Sequence, residues 1–388
     1  MAAPTAFGSG LRSLFQMEPD TLHLNHGSYG AIPKAVTEAQ RRWQDRMEAE
    51  PSRFVEFEFR PAIRAAAKRL APYLAADPNH IALVENPTQA VNGVLRSLAL
   101  GPGDRVLVHD QTYGAVRNAA RFVCQTTGAD LVEWSLPYPA RAPEDATAAL
   151  AAALDPAPRI AILDHVTSKT ALLLPVAEMT RLVKESGALA LVDAAHAPGM
   201  TPVDVGAIGA DWLVGACHKW MFAARGCAFL WAADPERPPL HPAVVSHGFE
   251  QGFLAEFDWV GTRDGSAHHS LPTALDFLDR FGAETVRTHN HALVHAAALK
   301  MADAFGTEVG APAALTGSMA TVRLPEGYGL SEDAALALRH RLLWEDRIQT
   351  RVNAQAGGLW VRLSAQIYNE AEEFDRLAEA ILAKRPNV

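Results

Sequence analysis

Short apolar runs alternate with longer amphipathic segments over residues 81–231. The longer segments repeat apolar residues every three or four positions, as at Met179, Leu182 and Val183, which is typical of a helix packed on a sheet. This alternation predicts an α/β domain with a mostly parallel sheet flanked by helices. The runs expected to form strands are 81–84, 106–109, 160–165, 188–192, 212–214 and 228–231.

The pattern changes at the proline-rich segment 234–242, which is expected to lead out of the sheet because its prolines exclude regular structure. Residues 270–305 are expected to form one or two long helices. From residue 316 a strand–helix–strand–helix pattern predicts a small α+β C-terminal domain. We therefore expect an N-terminal segment (1–30), a large domain (31–265), and connecting helices with the small domain (266–388).

Charge and cysteine content narrow the classes of function. The 388 residues carry a formal net charge of −9, so the chain lacks the basic surface that nucleic-acid binding requires. Its three cysteines form no CxxC pair, which argues against a disulfide framework or a zinc ribbon and indicates a reducing compartment. No apolar run approaches membrane-spanning length, and the first ten residues do not resemble a signal peptide. We expect a cytoplasmic protein with no membrane or nucleic-acid partner.

Two charged residues next to apolar runs carry the clearest chemical signal. Asp193 ends the run 188–192, where a desolvated carboxylate without a partner costs several kcal/mol. Lys219 lies between apolar segments, where burial lowers the pKa of an amine and makes it nucleophilic. This pair suits pyridoxal phosphate, because the lysine forms a Schiff base and the carboxylate pairs with the pyridinium nitrogen. An N-cap or turn role is the alternative for Asp193.

Other candidate cofactor ligands lie near strand ends or beside the lysine. The helix start at 87–90, with Thr88 and Gln89, offers free N–H groups and a hydroxyl to a phosphate, although Thr88 could be a simple N-cap. Tyr113 could stack on the pyridine ring, or it could be a partly buried tyrosine with a satisfied hydroxyl. We expect Thr167 and His196 to reach the ring substituents and His218 the phosphate; a place in an ordinary turn is the alternative for Thr167 and His196. These candidates are Thr88, Gln89, Tyr113, Thr167, His196 and His218.

Arg362 is the candidate for the substrate. It lies in an otherwise apolar strand, and its planar guanidinium suits bidentate capture of an α-carboxylate. A surface arginine whose stem packs on apolar neighbours is the alternative.

The chain resembles the class V aminotransferase family of pyridoxal-phosphate enzymes, and within it the isopenicillin N epimerase-like branch. The resemblance covers nearly the whole chain, and both the order and the spacing of the motifs agree. The segments that carry it are 24–30 (Leu-Asn-His-Gly-Ser-Tyr-Gly), 86–90 (Asn-Pro-Thr-Gln-Ala), 164–168 (Asp-His-Val-Thr-Ser), 192–199 (Val-Asp-Ala-Ala-His-Ala-Pro-Gly), 218–220 (His-Lys-Trp), 261–264 (Gly-Thr-Arg-Asp) and 362–369 (Arg-Leu-Ser-Ala-Gln-Ile-Tyr-Asn).

The resemblance implies an aspartate aminotransferase-like, fold type I architecture, with a mostly parallel sheet of the seven-stranded type and pyridoxal 5'-phosphate as cofactor. It implies Lys219 as the Schiff-base lysine, Asp193 under the ring nitrogen and Arg362 on the substrate carboxylate. Asn25 and His26, in the N-terminal segment, are implied at the substrate. Thr262 is implied to reach the phosphate of a neighbouring subunit, which makes the active unit a homodimer.

Two positions depart from the family pattern. Ala216 stands three residues before the lysine, where relatives usually carry Ser, Thr or Asn, so one phosphate donor is missing. Lys169 stands where the family commonly has proline, which places an extra amine near the site. That amine could contact an acidic substrate, or it could be a solvated loop lysine.

Several reactions share these motifs. Racemisation, β-elimination and transamination all begin with removal of the substrate's α proton, and the resemblance favours epimerase-like or C–S lyase chemistry over an aminotransferase. A cysteine desulfurase needs a cysteine in the C-terminal half, and none follows Cys227. No Gly-x-Gly-x-x-Gly turn supports a dehydrogenase, and no HExxH accompanies the pair His291 and His295, so we expect no metal site. An inactive binding relative remains the alternative outside catalysis.

Overall fold

The computed structural model describes residues 6–385. Twelve strands occur in this part of the chain, and seven of them form a central sheet. In chain order the strands are β1 (Leu22–His23), β2 (Ile81–Val84), β3 (Arg105–His109), β4 (Asp130–Trp134), β5 (Ile160–Asp164), β6 (Leu189–Ala194), β7 (Trp212–Ala216), β8 (Ala228–Ala232), β9 (Met319–Arg323), β10 (Ile348–Gln349), β11 (Arg351–Gln355) and β12 (Gly358–Ser364).

Helices cover both faces of the sheet and most of the remaining chain. They are α1 (Lys34–Ala49), α2 (Pro51–Arg53), α3 (Phe59–Leu70), α4 (Pro87–Ser97), α5 (Gly114–Thr127), α6 (Pro143–Ala153), α7 (Val176–Glu185), α8 (Val205–Ile208), α9 (Phe253–Phe257), α10 (Ser266–His269), α11 (Leu271–Phe281), α12 (Ala283–Phe305), α13 (Glu332–Asp346) and α14 (Ala371–Ala383). A π-helical turn, Phe54–Glu58, joins α2 to α3.

The central sheet has the strand order β2-β8-β7-β6-β5-β3-β4. Strand β8 runs antiparallel to both of its neighbours, and the other six strands share one direction. The predicted mostly parallel, seven-stranded sheet flanked by helices is therefore confirmed. The run pattern missed β4, because this edge strand is half exposed and lacks a continuous apolar run.

The parallel strands read as unbroken apolar runs because both faces of the sheet are buried. Along β5, Ile160 and Ile162 pack against the layer that contains α4 and α5, whereas Ala161 and Leu163 pack against the layer of α3, α6 and α7. The strands are thus held rigidly between two helical layers. Their carboxyl ends meet at one edge of the sheet, where ligands of open α/β sheets bind.

A second, three-stranded antiparallel sheet of order β11-β12-β9 packs against α12, α13 and α14 through its own core. The strand–helix–strand–helix prediction for this region missed β11, whose polar residues hide the strand pattern. The two long helices expected over 270–305 are α11 and α12, separated at Gly282, which has a φ of 77°. Strand β1 pairs in parallel with β10, which ties the N-terminal segment to the C-terminal region. The division at residues 30 and 265 stays a prediction.

Candidate active site

A cavity of about 640 Å³ opens at the carboxyl ends of the parallel strands. Its floor comes from the central sheet and includes Asp164, Asp193 and Lys219. Its rim includes Tyr113 at the start of α5, and Arg362, which comes from the small C-terminal sheet. The site therefore lies where the central sheet meets the C-terminal elements.

Asp193 is the fifth of the six residues of β6, and its side chain is almost completely buried, with 3% exposed. Its Oδ1 accepts a hydrogen bond from the Ala195 N–H at 2.9 Å. Burial, reinforced by the neighbouring negative charge of Asp164, raises the pKa of Asp193 to about 7. A carboxylate with this pKa needs a positive partner to stay ionised, and a protonated pyridine nitrogen is such a partner.

Lys219 follows the end of β7 and extends its amine into the cavity. Burial lowers the pKa of Lys219 to about 8, although the charge of Asp193 partly opposes the shift. Its Nζ lies 3.1 Å from Nε2 of His196. About one tenth of an amine with this pKa is unprotonated and nucleophilic at pH 7, far more than for an ordinary lysine.

The N-terminal segment packs against the backbone at Lys219. His26 is fully buried between Tyr368 and the lysine, with Nδ1 2.9 Å from the Tyr368 hydroxyl and Nε2 3.0 Å from the Lys219 carbonyl oxygen. A Cβ atom on Gly30 would stand 2.8 Å from the same carbonyl, so only glycine fits there. His26 does not line the cavity. The structure places it under the lysine, and its predicted substrate contact stays a prediction.

The expected phosphate anchor lies at the start of α4. The Asn86 side chain caps the helix by accepting from the Gln89 N–H at 2.9 Å, and the Gln89 Oε1 accepts from the Glu85 N–H at 2.9 Å. Thr88 faces the cavity, and its hydroxyl and N–H have no hydrogen-bond partner within residues 6–385. Thr88 is therefore free to bind an anion, whereas the Gln89 side chain is used locally.

Three further candidate cofactor ligands take different positions relative to the cavity. Tyr113 lies on the cavity rim with 50% of its surface exposed, so its ring is available to cover a planar ligand. His218 lines the cavity, and its Nδ1 lies 2.8 Å from the Cys227 carbonyl oxygen. Thr167 is fully buried, and its hydroxyl contacts Thr170 at 2.6 Å without reaching the cavity. Its predicted contact with the cofactor therefore requires a change in this hydrogen bonding.

Neutral imidazoles surround the lysine. Burial lowers the pKa of His218 to about 4 and that of His196 well below its ordinary value. The Nδ1 atom of His196 is buried without a hydrogen-bond partner among the described residues. An additional polar group in the cavity would satisfy it.

Arg362 lies in the middle of β12 with only 1% of its surface exposed. Its Nη2 donates to Asn25 Oδ1 at 2.9 Å and to Ser28 Oγ at 2.6 Å, and its Nη1 donates to the Ser168 carbonyl. It forms no ion pair with a carboxylate of residues 6–385. Burial, together with the positive charges of Arg351 and Arg339, lowers its pKa to about 9. A buried guanidinium in this state is prepared for an incoming carboxylate.

Several residues of the cavity were not identified from the sequence. Asp164 is the last residue of β5, and Asp193 is the second-last residue of β6. Both are charged residues at the end of an apolar run, so the sequence signal that identified Asp193 was also present at Asp164. Arg351 lines the cavity and faces Arg362 across the β11–β12 pair, but its polar strand gave no pattern. Lys169, which the sequence did place near the site, lines the cavity, and its amine pairs with Glu332 of α13. Within residues 6–385 no cluster of three or more His, Cys, Asp or Glu side chains is arranged for a metal ion.

These features fit pyridoxal phosphate. The cavity holds a shifted lysine, a buried carboxylate and a helix start with free donors, all at the carboxyl edge of a mostly parallel sheet. They define a pyridoxal-phosphate-dependent enzyme.

Comparison with known proteins gives the family. Residues 30–377 match the family described as Aminotransferase class-V. The chain is 35% identical to putative L-cysteine desulfhydrase 1 of Oryza sativa subsp. japonica, covering 94% of this chain and 83% of the relative. It is 33% identical to isopenicillin N epimerase of Streptomyces clavuligerus, covering 95% and 96%. The chain belongs to the class V aminotransferase family, which is pyridoxal-phosphate-dependent.

Solved structures support the same fold. The complex of the cystine C–S lyase C-DES with cysteine persulfide superimposes with a TM-score of 0.81 at 21% identity, covering 95% of this chain and 99% of that one. The apo cysteine desulfurase from Thermococcus onnurineus NA1 gives a TM-score of 0.79 at 17% identity, covering 99% of each chain. The predicted fold type I architecture and family resemblance are confirmed.

Proposed function

We propose that this enzyme removes the α proton of a cysteine-derived amino acid and then cleaves its C–S bond by β-elimination. The observation that carries the proposal is the pair of Lys219 and Asp193, whose burial shifts both pKa values toward neutrality. The choice of C–S cleavage is supported by relatives named as L-cysteine desulfhydrases, from rice and Arabidopsis thaliana, at 32–35% identity.

Each residue of the site has a defined task in this proposal. Pyridoxal phosphate, when bound, withdraws electrons from the substrate's Cα. Lys219 would hold the cofactor covalently, and its Nζ, when free, would accept the α proton of the substrate. Asp193 keeps the ring nitrogen protonated through a charge-assisted hydrogen bond. Thr88 would donate to the phosphate and Tyr113 would cover the ring. His218 holds its single proton on Nδ1 against the Cys227 carbonyl, so it would donate to the phosphate only after taking up a second proton.

The substrate is oriented by the rim of the cavity. The unneutralised guanidinium of Arg362 receives the α-carboxylate, while Asn25 and Ser28 fix its direction through the hydrogen bonds to Nη2. These contacts keep water away from the buried Arg362. Because the dielectric constant is low there, its guanidinium attracts an anion more strongly. The substrate's Cα is thereby placed between the arginine on the rim and the lysine on the floor.

A desulfurase mechanism is not proposed. That chemistry needs a mobile cysteine that carries sulfur away, whereas Cys124, Cys217 and Cys227 are all buried. Epimerisation at Cα is the second candidate, because isopenicillin N epimerases of two organisms are 32–33% identical over 95% of this chain.

Product analysis separates the candidates. The enzyme loaded with pyridoxal phosphate is incubated with L-cysteine and L-cystine, and pyruvate, ammonia and the released sulfur species are quantified. Elimination predicts equal amounts of pyruvate and ammonia, and none with Lys219→Ala. Recovery of D-amino acid without pyruvate would identify an epimerase. A keto acid formed together with the amine form of the cofactor would identify an aminotransferase.

We also propose that the active unit is a cytoplasmic homodimer in which Thr262 completes the phosphate site of the neighbouring subunit. Thr262 is exposed and does not line the cavity of its own chain, which supports a role outside that chain. Light scattering of the purified protein should give twice the chain mass of 41.8 kDa. Thr262→Val should weaken cofactor binding, whereas Thr126→Val on the exposed face of α5 should not. A monomer with full cofactor affinity would contradict the dimer.

Where described, the chain contains no helix that is both long and apolar enough to cross a membrane.

A further inference from the structure

A buried row of polar side chains crosses the floor of the cavity on three neighbouring parallel strands. His109 ends β3, Asp164 ends β5, and Asp193 lies next to the end of β6. These strands are adjacent in the sheet, in the order β6-β5-β3. The three side chains are 0%, 2% and 3% exposed. The proposed mechanism uses Asp193 and leaves the other two unexplained.

The imidazole of His109 is fixed in one orientation. Its Nδ1 accepts a hydrogen bond from the Gln111 N–H at 3.2 Å, and its ring packs on Trp134 with centroids 5.6 Å apart. Because Nδ1 is an acceptor, the ring is neutral and its single proton lies on Nε2. That nitrogen is 2.7 Å from Oδ2 of Asp164. The N–H bond is not in line with the oxygen, so the contact is a close charge–dipole interaction.

Asp164 stands directly beside Asp193. The two residues are partners across the parallel β5–β6 pair, and Asp164 also lines the cavity. Three neighbouring groups act electrostatically on Asp193: Asp164 from β5 raises its pKa, whereas Lys219 after β7 and His109 from β3 lower it. The charge of Asp164 raises the pKa of Asp193, and it also acts on Lys219 in the same direction. Two buried carboxylates therefore face one site.

We propose that Asp164 and His109 are a positioning pair that strengthens the hold of Asp193 on the proton of the cofactor's ring nitrogen. The inference rests on the cofactor assignment made above. A second negative charge close to Asp193 raises the proton affinity of any basic nitrogen placed against it. The Nε2–H dipole of His109 faces Oδ2 of Asp164 at 2.7 Å and stabilises its negative charge in this buried position.

The direct test measures the protonation of the cofactor's ring nitrogen as a function of pH. The enzyme is reconstituted with pyridoxal phosphate labelled with 15N in the ring, and the 15N chemical shift is recorded as the pH is raised. In Asp164→Asn, an isosteric change, the nitrogen should lose its proton about one pH unit or more below wild type, because one neighbouring negative charge is gone. A merely structural role for Asp164 would not move this titration.

Variants of His109 make the test specific. His109→Phe should shift the titration of the ring nitrogen in the same direction as Asp164→Asn, because Asp164 then loses the dipole that stabilises its negative charge beside Asp193. His109→Gln keeps an N–H donor and should restore much of the wild-type titration. The double variant His109→Phe/Asp164→Asn should shift no further than Asp164→Asn alone, because both changes act through one charge.

The outcomes distinguish this inference from the proposed function. A wild-type enzyme that binds no cofactor would contradict the function itself. A wild-type enzyme with a protonated ring nitrogen, and Asp164→Asn with the same titration, would overturn the positioning role and leave the function intact. Additive shifts in the double variant would overturn the claim that His109 acts through Asp164. Thermal unfolding of each variant shows whether it is folded, and Asp164→Ser, which also removes the charge, serves as the substitute if Asp164→Asn does not fold.

Discussion

The floor and the rim of the cavity are built in different ways. The floor consists of Asp164 and Asp193, at or next to the ends of neighbouring strands, and Lys219, just beyond a third strand. Burial shifts the pKa values of Asp193 and Lys219 toward their neutral forms. The rim joins Arg362 to Asn25, which is 337 positions away in the sequence, and is held by hydrogen bonds without a compensating negative charge.

This difference separates two tasks. The floor is rigid, because each strand is packed on both faces, and it holds groups whose ionisation suits a cofactor. The rim is made by chain segments from opposite ends of the protein that meet over the floor. Changes on the floor should therefore abolish chemistry or cofactor binding, whereas changes on the rim should mainly alter substrate affinity.

The largest effect is expected at Lys219. Replacing Lys219 with alanine removes both the covalent link to the cofactor and the base, so kcat should fall by roughly 10⁴-fold or more. The visible absorption band of the bound cofactor should also disappear. Lys300→Ala, on the exposed face of α12, is the matched control and should keep both the band and the activity. A Lys219→Ala enzyme with substantial turnover would show that another residue carries the chemistry.

A smaller but still large effect is expected at Asp193. Asp193→Asn cannot hold the ring nitrogen in its protonated state, so kcat should fall by about 10²–10³-fold with little change in KM. Steady-state kinetics with the substrate found by product analysis measures both constants. Asp193→Glu should recover part of the rate because it keeps the charge. Equal activity of the Asn variant and wild type would remove Asp193 from the mechanism.

On the rim, Arg362→Gln should act mainly on binding. Loss of a buried charge-assisted pair with the α-carboxylate costs on the order of 2–3 kcal/mol, so KM should rise by roughly 30- to 150-fold. Arg323→Gln is the control: this arginine lies on the neighbouring strand β9 and is 41% exposed. If both variants raised KM equally, the rise would come from a disturbance of the C-terminal sheet and not from the lost contact with the substrate carboxylate.

Asn25→Ala should also raise KM, but by less than Arg362→Gln does. It removes one acceptor that orients the guanidinium of Arg362, and the Ser28 hydroxyl remains. We expect KM to rise by about tenfold or less, since one hydrogen bond to a charged group is worth roughly 1.5 kcal/mol. Asn118→Ala, on the exposed face of α5, should leave KM unchanged. A change in kcat without a change in KM would instead group Asn25 with the floor residues, which act on the chemistry.

The smallest effect concerns stability of the cofactor-free protein. The folded chain keeps a proton on Asp193 up to about pH 7, whereas the unfolded chain releases it near the ordinary value of 3.8. The free energy of unfolding contributed by this group therefore falls as the pH rises from about 4 to 7. Asp193→Asn removes this dependence, so the variant should be more stable than wild type at pH 8, by on the order of 2 kcal/mol, and equal to it near pH 4.

Thermal unfolding of the cofactor-free proteins at several pH values measures this difference, with Asp20→Asn at an exposed position as the control. A stability gap that does not grow with pH would mean that Asp193 is not held protonated in the fold.

The floor was largely predictable from the sequence, and the rim only in part. Asp193 and Lys219 interrupt apolar runs, and such interruptions are visible without a structure because burial of a charge needs a reason. Asp164 gave the same signal, yet its pairing with His109 depends on strand order, which places β3 beside β5. A sequence does not record which strands are neighbours.

The rim depends on long-range pairing. Arg362 stood out in an apolar strand, but its contacts with Asn25 and Ser28 arise because β1 pairs with β10 and brings the N-terminal segment over the site. The same pairing places His26 beneath Lys219, where the sequence suggested a substrate contact. Strand β11 and its Arg351 were missed because polar residues on a half-buried strand resemble a loop.

Cofactor attachment is the central claim, and it can be tested directly on the intact enzyme. The protein loaded with pyridoxal phosphate is reduced with borohydride and digested, and the modified peptide is located by mass spectrometry. The account predicts a single phosphopyridoxyl group on the Nζ of Lys219. Modification of a different lysine, or no modification in a protein that is saturated with cofactor, would contradict it.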